Sequence, residues 1–187
     1  MSYLDKKGCE FLVKKTKDYF TTNKPQLRTY VGTLSADTQV GTDKTPKILE
    51  FAPGVPDNLC TGLAENHFSV DNYGFICLDN APKGETNTAV LITFHIYTFN
   101  HWTAGKKMYV HFRRTPYKDS GASQRIPNIK YIYLIPNASP YLTFSGHFYY
   151  DLKEGEGISL DVYSSDGQGI ISRGDGCDTH LALTTVI

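Results

Sequence analysis

From Tyr141 to the last residue, Ile187, apolar and polar positions alternate with a period of two. Leu142, Phe144, Phe148, Tyr150 and Leu152 share one parity. Ile158, Leu160 and Val162 alternate with Ser159, Asp161 and Tyr163, and Leu181 and Leu183 alternate with Ala182 and Thr184. Side chains on a strand change face at every residue, so this pattern predicts strands with one face in a core. The same period runs upstream. Val90, Ile92, Phe94 and Ile96 fall on one face of a long strand over 89–99, and Met108, Val110 and Phe112 alternate with Tyr109, His111 and Arg113 over 107–113. Shorter strands are expected at 48–51, 67–70, 73–78 and 129–135, with a polar loop over 115–126. Pro53, Pro56 and Pro136 force turns or extended geometry between them.

Helical periodicity is confined to the opening residues. Leu4, Phe11, Leu12, Tyr19 and Phe20 are set among Lys6, Lys7, Lys14, Lys15 and Lys17, a modest amphipathic pattern interrupted by Gly8. The chain therefore divides into an N-terminal arm, 1–30, and a β-domain, 31–187. The arm either docks on a partner or covers one end of the domain. Eight to ten short strands spaced by turn signals predict an all-β fold, an antiparallel jelly-roll β-sandwich of two four-stranded sheets.

Composition sharpens this picture. The 13 Tyr and 10 Phe suit a half-buried pleated surface, and 16 Gly and 9 Pro supply turns. Nineteen Lys and Arg balance nineteen Asp and Glu. A net charge of zero argues against a nucleic-acid partner, because each phosphate contact needs a cation. No apolar run reaches the length of a membrane span. The opening residues lack the apolar segment of a signal peptide, so synthesis in a cytoplasm is expected. Cys9, Cys60, Cys77 and Cys177 include no CxxC pair and are expected to be free thiols.

Candidate chemistry is sparse. Six histidines show no HxH or HxxxH spacing, and neither Gly-x-Ser-x-Gly nor a phosphate-binding loop occurs. No catalytic residue, cofactor or metal site is assigned. Arg173-Gly174-Asp175 in a Gly-rich loop reads either as a tight turn or as a receptor contact, and Asp166, Asp175 and Asp178 could instead gather calcium. Trp102, Tyr117 and Tyr141 are candidates for an aromatic platform stacking on a glycan.

One stretch carries a family likeness. Phe144-Ser145-Gly146, the turn Leu152-Lys153-Glu154-Gly155 and the strand Ile158-Ser159-Leu160 resemble the end of the TNF-like jelly roll, closest to the complement-type globular head. Phe75, Cys77, Pro82, Gly84, Phe94 and His95 resemble an earlier stretch with an insertion. The resemblance implies a homotrimer with the last strand near its axis. The interface candidates are then His147, Tyr149, Tyr163, Leu181, Leu183 and Ile187. The last strand is apolar on both faces, which either a subunit contact or an overlying loop would cover. Viruses and phages use such jelly rolls in their particles. The expectation is a virion structural protein (spike, head fibre, decoration or minor capsid subunit) attached to other capsid proteins through the arm. The alternative is a carbohydrate- or receptor-binding module whose partner is a host receptor or glycan.

Overall fold

The structure, a computed structural model, describes residue 14 and residues 27–53, 67–80, 87–99, 102–138, 141–173 and 179–186. Thirteen strands appear among them: β1 Leu27–Leu34, β2 Thr38–Gln39, β3 Lys47–Ile48, β4 Phe51–Pro53, β5 Phe68–Val70, β6 Ile76–Leu78, β7 Asn87–Phe99, β8 Lys107–Thr115, β9 Gln124–Leu134, β10 Tyr141–Lys153, β11 Gly157–Ser164, β12 Ile170–Ile171 and β13 His180–Val186. They form two antiparallel sheets, the layered arrangement of a jelly roll.

In the seven-stranded sheet β7 is the spine. Along one edge it pairs with β10 through thirteen residues, from Tyr141↔Phe99 to Lys153↔Asn87. Along the other it pairs with β13 and β12. The sheet continues from β13 to β1 and β4, and from β12 to β2. The six-stranded sheet runs β5–β6–β11–β8–β9, with β3 also on β11. Among the described residues strands β9 and β10 each pair on one side only, as edges of the two sheets.

The core lies between the sheets and follows the period of two. Val90, Ile92, Phe94 and Ile96 of β7, with Leu181 and Leu183 of β13, face Met108, Val110 and Phe112 of β8 and Ile158, Leu160 and Val162 of β11. Phe94 and Phe112 meet edge to face at 5.5 Å, an arrangement aromatic quadrupoles favour.

Several expectations are corrected. Strand β1 begins at Leu27, so residues 27–30 belong to the sheet rather than to an arm; the rest of 1–30, residue 14 apart, lies outside the described residues. The run 48–51 is two strands in different sheets, because the chain crosses the sandwich at Leu49, whose N–H bonds Leu160 O at 2.8 Å. Pro53 closes β4, which occupies an edge of its sheet, where a missing donor costs no ladder bond. Residues 71–74 form a turn rather than the start of a strand: the Asp71 carboxylate accepts the N–H groups of Tyr73 and Phe75 at 2.9 and 2.8 Å. The sheets hold seven and six strands rather than four each, since short edge pieces add to both.

Two glycines of the quoted stretch have structural reasons. A Cβ on Gly146 would sit 2.7 Å from Phe94 and from Tyr131, so only glycine lets those rings close over the strand. Gly155 turns the chain from β10 to β11 at φ 85°, in the left-handed region.

Candidate assembly surface

Strands β10, β7, β13 and β1 present their second parity away from the core. Cross-strand register sorts these positions into rows: Ser145–His95–His180–Thr33, His147–Thr93–Ala182–Val31 and Tyr149–Leu91–Thr184–Thr29. Neighbours in the rows touch. The His95 and His180 rings stack at 5.6 Å, and the hydroxyls of Thr29 and Thr184 lie 2.9 Å apart. Beside them Tyr97 stacks on Tyr141 at 6.1 Å.

What this face lacks is charge. Strand β7 contains no Asp, Glu, Lys or Arg, nor does β13. On β10 the charged residues on this face, Asp151 and Lys153, stand at its far end. Tyr149 is 75% exposed at the face's margin. An outward sheet face ordinarily carries charged side chains, and depletion of charge with retention of aromatics is the composition of a buried interface.

Edge strand β9 lies next to β10. Its inward-facing Tyr131 and Tyr133 donate their phenol O–H groups to the carbonyls of His147 and Ser145, and Tyr131 Oη also accepts the His147 N–H at 3.0 Å. Its outward Ile132 and Leu134 are large, apolar and exposed, Leu134 at 62%.

The other sheet's outer face is different. Asp161 is completely buried and accepts from Arg113 Nη1 at 3.0 Å and from Arg125 Nε and Nη2 at 2.8 and 2.9 Å. Arg113 also donates to Ser123 Oγ and O, which ties the loop before β9 to the sheet. Two guanidiniums and these bonds satisfy the buried carboxylate, as burial of charge requires. The Asp161 hydrogen bonds raise the Arg125 pKa further. Tyr163 stacks on Tyr109 at 4.5 Å and on His111 at 5.6 Å. Burial, then the nearby Arg125, holds the His111 pKa below its usual 6.5.

The sequence-predicted residues scatter across these environments. His147 and Tyr149 are exposed together on the charge-poor face. Leu181 and Leu183 are not surface residues. Both are fully buried in the sandwich core, because their parity on β13 points at the other sheet. Tyr163 is buried on the opposite sheet, under the Tyr109 ring, and does not join His147 and Tyr149. Ile187 lies outside the described residues. Ala182 is buried within the chain between Val31 and Thr93.

The aromatic platform is not built. Trp102 is 2% exposed; its Nε1 donates to Thr98 Oγ1 at 2.9 Å and its ring meets Phe144 edge to face. Tyr141 starts β10, whereas Tyr117 lies beside Gly155 just past that strand's other end. Thirteen extended residues hold the two exposed rings roughly 40 Å apart.

Arg173 is exposed, and its N–H bonds Asp37 Oδ1 at 2.7 Å; Gly174, Asp175 and Asp178 lie outside the described residues. Asp166 accepts from Ser164 Oγ at 3.0 Å in a local turn. Of the four cysteines Cys77 is described, and burial pushes its thiol up to about 12, which keeps it protonated and unreactive. No cluster of three metal-ligating side chains occurs among the described residues, and no described helix is long and apolar enough to cross a membrane.

No protein-family model matches the chain, and no curated protein matches it. Solved structures do. The chain is similar to Eiger TNF from S. frugiperda, with 13% identity, a TM-score of 0.53 and coverage of 87% of this chain and 93% of that one. It is also similar to murine APRIL, with 12% identity, a TM-score of 0.53 and coverage of 86% and 99%. The fold is the TNF-like jelly roll.

Proposed function

We propose that this chain is an assembly module which works by forming a homotrimer rather than by chemistry. The observation that carries the reading is the outer face of β10 and β7 from the row of Tyr149 to the row of Ser145, which holds no Asp, Glu, Lys or Arg and leaves Ser145, His147 and Tyr149 exposed, whereas Val31, Thr33 and Ala182 on its β13–β1 side are buried within the chain. Its complement is the adjacent β9 edge with Ile132 and Leu134 exposed. A face and an edge on one molecule make a heterologous pair, and a heterologous pair closes a ring when the rotation permits. The TNF-like fold supports three copies as the closing number.

The setting we infer is a virus particle, with the trimer as a spike, head fibre, decoration or minor capsid subunit. Support comes from the lysine-bearing amphipathic pattern of residues 4–20, suited to attachment.

Light scattering after size-exclusion chromatography tests the assembly. The expected mass is three times the chain's 20.9 kDa. Thr93→Lys, which puts a cation in the centre of the face, is expected to return the monomer with an unchanged circular dichroism spectrum. A wild-type monomer at micromolar concentration would refute the trimer. Particles of the source virus that lack the chain would refute the setting while leaving the trimer intact.

A further inference from the structure

A second feature lies on the opposite sheet, away from the charge-poor face, and does not depend on the trimer. Strands β8 and β9 pair regularly from Lys107↔Leu134 to His111↔Lys130, then resume at Arg113↔Arg125. Over that step β8 advances two residues and β9 retreats five. The surplus on β9 falls within residues 126–129, and Asn128 adopts φ 64°, a left-handed conformation unusual for a side-chain-bearing residue. Bulges of this kind re-aim side chains and recur beside binding sites.

The bulge opens a cavity of about 230 Å³ lined by His111, Arg125, Ile126, Pro127, Asn128, Ile129 and Lys130. Among the described residues no carboxylate lines it. Among the described residues His111 Nε2, which is buried, has no hydrogen-bond partner, an arrangement that costs free energy. Arg125 spends Nε and Nη2 on Asp161, which among the described residues leaves Nη1 uncommitted. Lys130 is exposed at the cavity.

From this geometry we propose that the β8–β9 bulge is a binding site for a small oxyanion, a sulfate or carboxylate, either free or borne on an acidic sugar. His111 Nε2–H and Arg125 Nη1 donate to the oxygens, and Lys130 supplies a second cation. Charge-assisted bonds of this type are stronger than neutral ones. The charged and titratable groups facing His111 are Arg125 and Lys130 on β9, Asp161 and Tyr163 on β11, Tyr109 on its own strand, and Asp43 from the segment between β2 and β3. The two arginines already occupy Asp161, so the net field at the cavity favours an anion. Burial and Arg125 favour neutral imidazole. An anion reverses that balance, so binding takes up a proton on His111.

The test is a titration of the full chain followed by the imidazole resonances of His111, at constant ionic strength held with chloride. The probes are sodium sulfate, 3′-sialyllactose and neutral lactose. Saturable shifts of His111 with sulfate, tighter at about pH 6 than at about pH 7.5, are expected. Saturation by sialyllactose too, with none by lactose, assigns the anion to a sugar; saturation by sulfate alone assigns a free or sulfate-type anion. His111→Phe keeps the ring on Tyr163 but removes Nε2, and Lys130→Gln removes an exposed cation at no cost to the core. Each is expected to weaken sulfate binding roughly tenfold, with the Lys130 variant followed through His111 and the His111 variant through the Arg125 and Lys130 amides. Absence of saturation by either anion, or affinities equal to wild type in both variants, would overturn the site.

Discussion

Gly146 shows how much one residue decides. Phe144-Ser145-Gly146 was legible as a motif, but its reason was not, since the rings that need the space come from Phe94 and Tyr131, far away in sequence. Gly146→Ala is expected to lower stability by about 1–3 kcal/mol through overpacking, read from the urea midpoint. The burial of Trp102 is hidden from the sequence for a related reason. A lone tryptophan beside a turn reads as exposed, and nothing local reveals that Thr98 and Phe144 enclose it. His111 carries the pH dependence. Its folded pKa lies below the ordinary value of 6.5, so the unfolded chain binds the proton first. Stability from this group is complete above about pH 6.5 and declines as pH falls through the folded value. Thermal melts of His111→Phe between pH 7.5 and 5 are expected to fall less steeply than those of the wild type.

Elements with a continuous period were readable, and interrupted ones were not. Strands β7, β10 and β11 alternate without a break, β8 does so as far as Phe112, and the period of two marks each of them to within a few residues. The period of two marks β9 only from residue 129, whereas the strand begins at Gln124, because its parity changes partway. Ile126 faces the core on an even number, whereas Ile129, Tyr131 and Tyr133 face it on odd ones. An odd surplus in the bulge reverses the alternation, so the first half reads as polar loop. Strands β2 and β12 are two residues each, too short for any period to show. The charge-poor face was readable in principle, since 87–99 contains no charged residue, but only the sheet order brings its rows together. Deleting residues 127–129 is expected to join Ile126 to Lys130 in a regular ladder with Phe112 opposite Ile126. That variant should fold with stability within roughly 1 kcal/mol of the parent, as circular dichroism and denaturant midpoints would show.

For the whole molecule, the two sheets divide the work. One exposes Ser145, His147 and Tyr149 on an outer face of β10 and β7 that lacks acids and strong bases between them, and the other keeps its charges in a satisfied cluster around Asp161. The phenols of Tyr131 and Tyr133 have a consequence for both. A strand paired on one side offers its bare amides to any passing extended peptide, the usual route to fibrils. Here two hydroxyls already hold the carbonyls of Ser145 and His147, so an incoming backbone finds the middle of β10 taken. An extended peptide can then add to the middle of β10 only by displacing both phenols. Replacing both tyrosines by phenylalanine keeps the rings and frees the carbonyls; such protein should develop thioflavin fluorescence on prolonged incubation while the wild type stays dark.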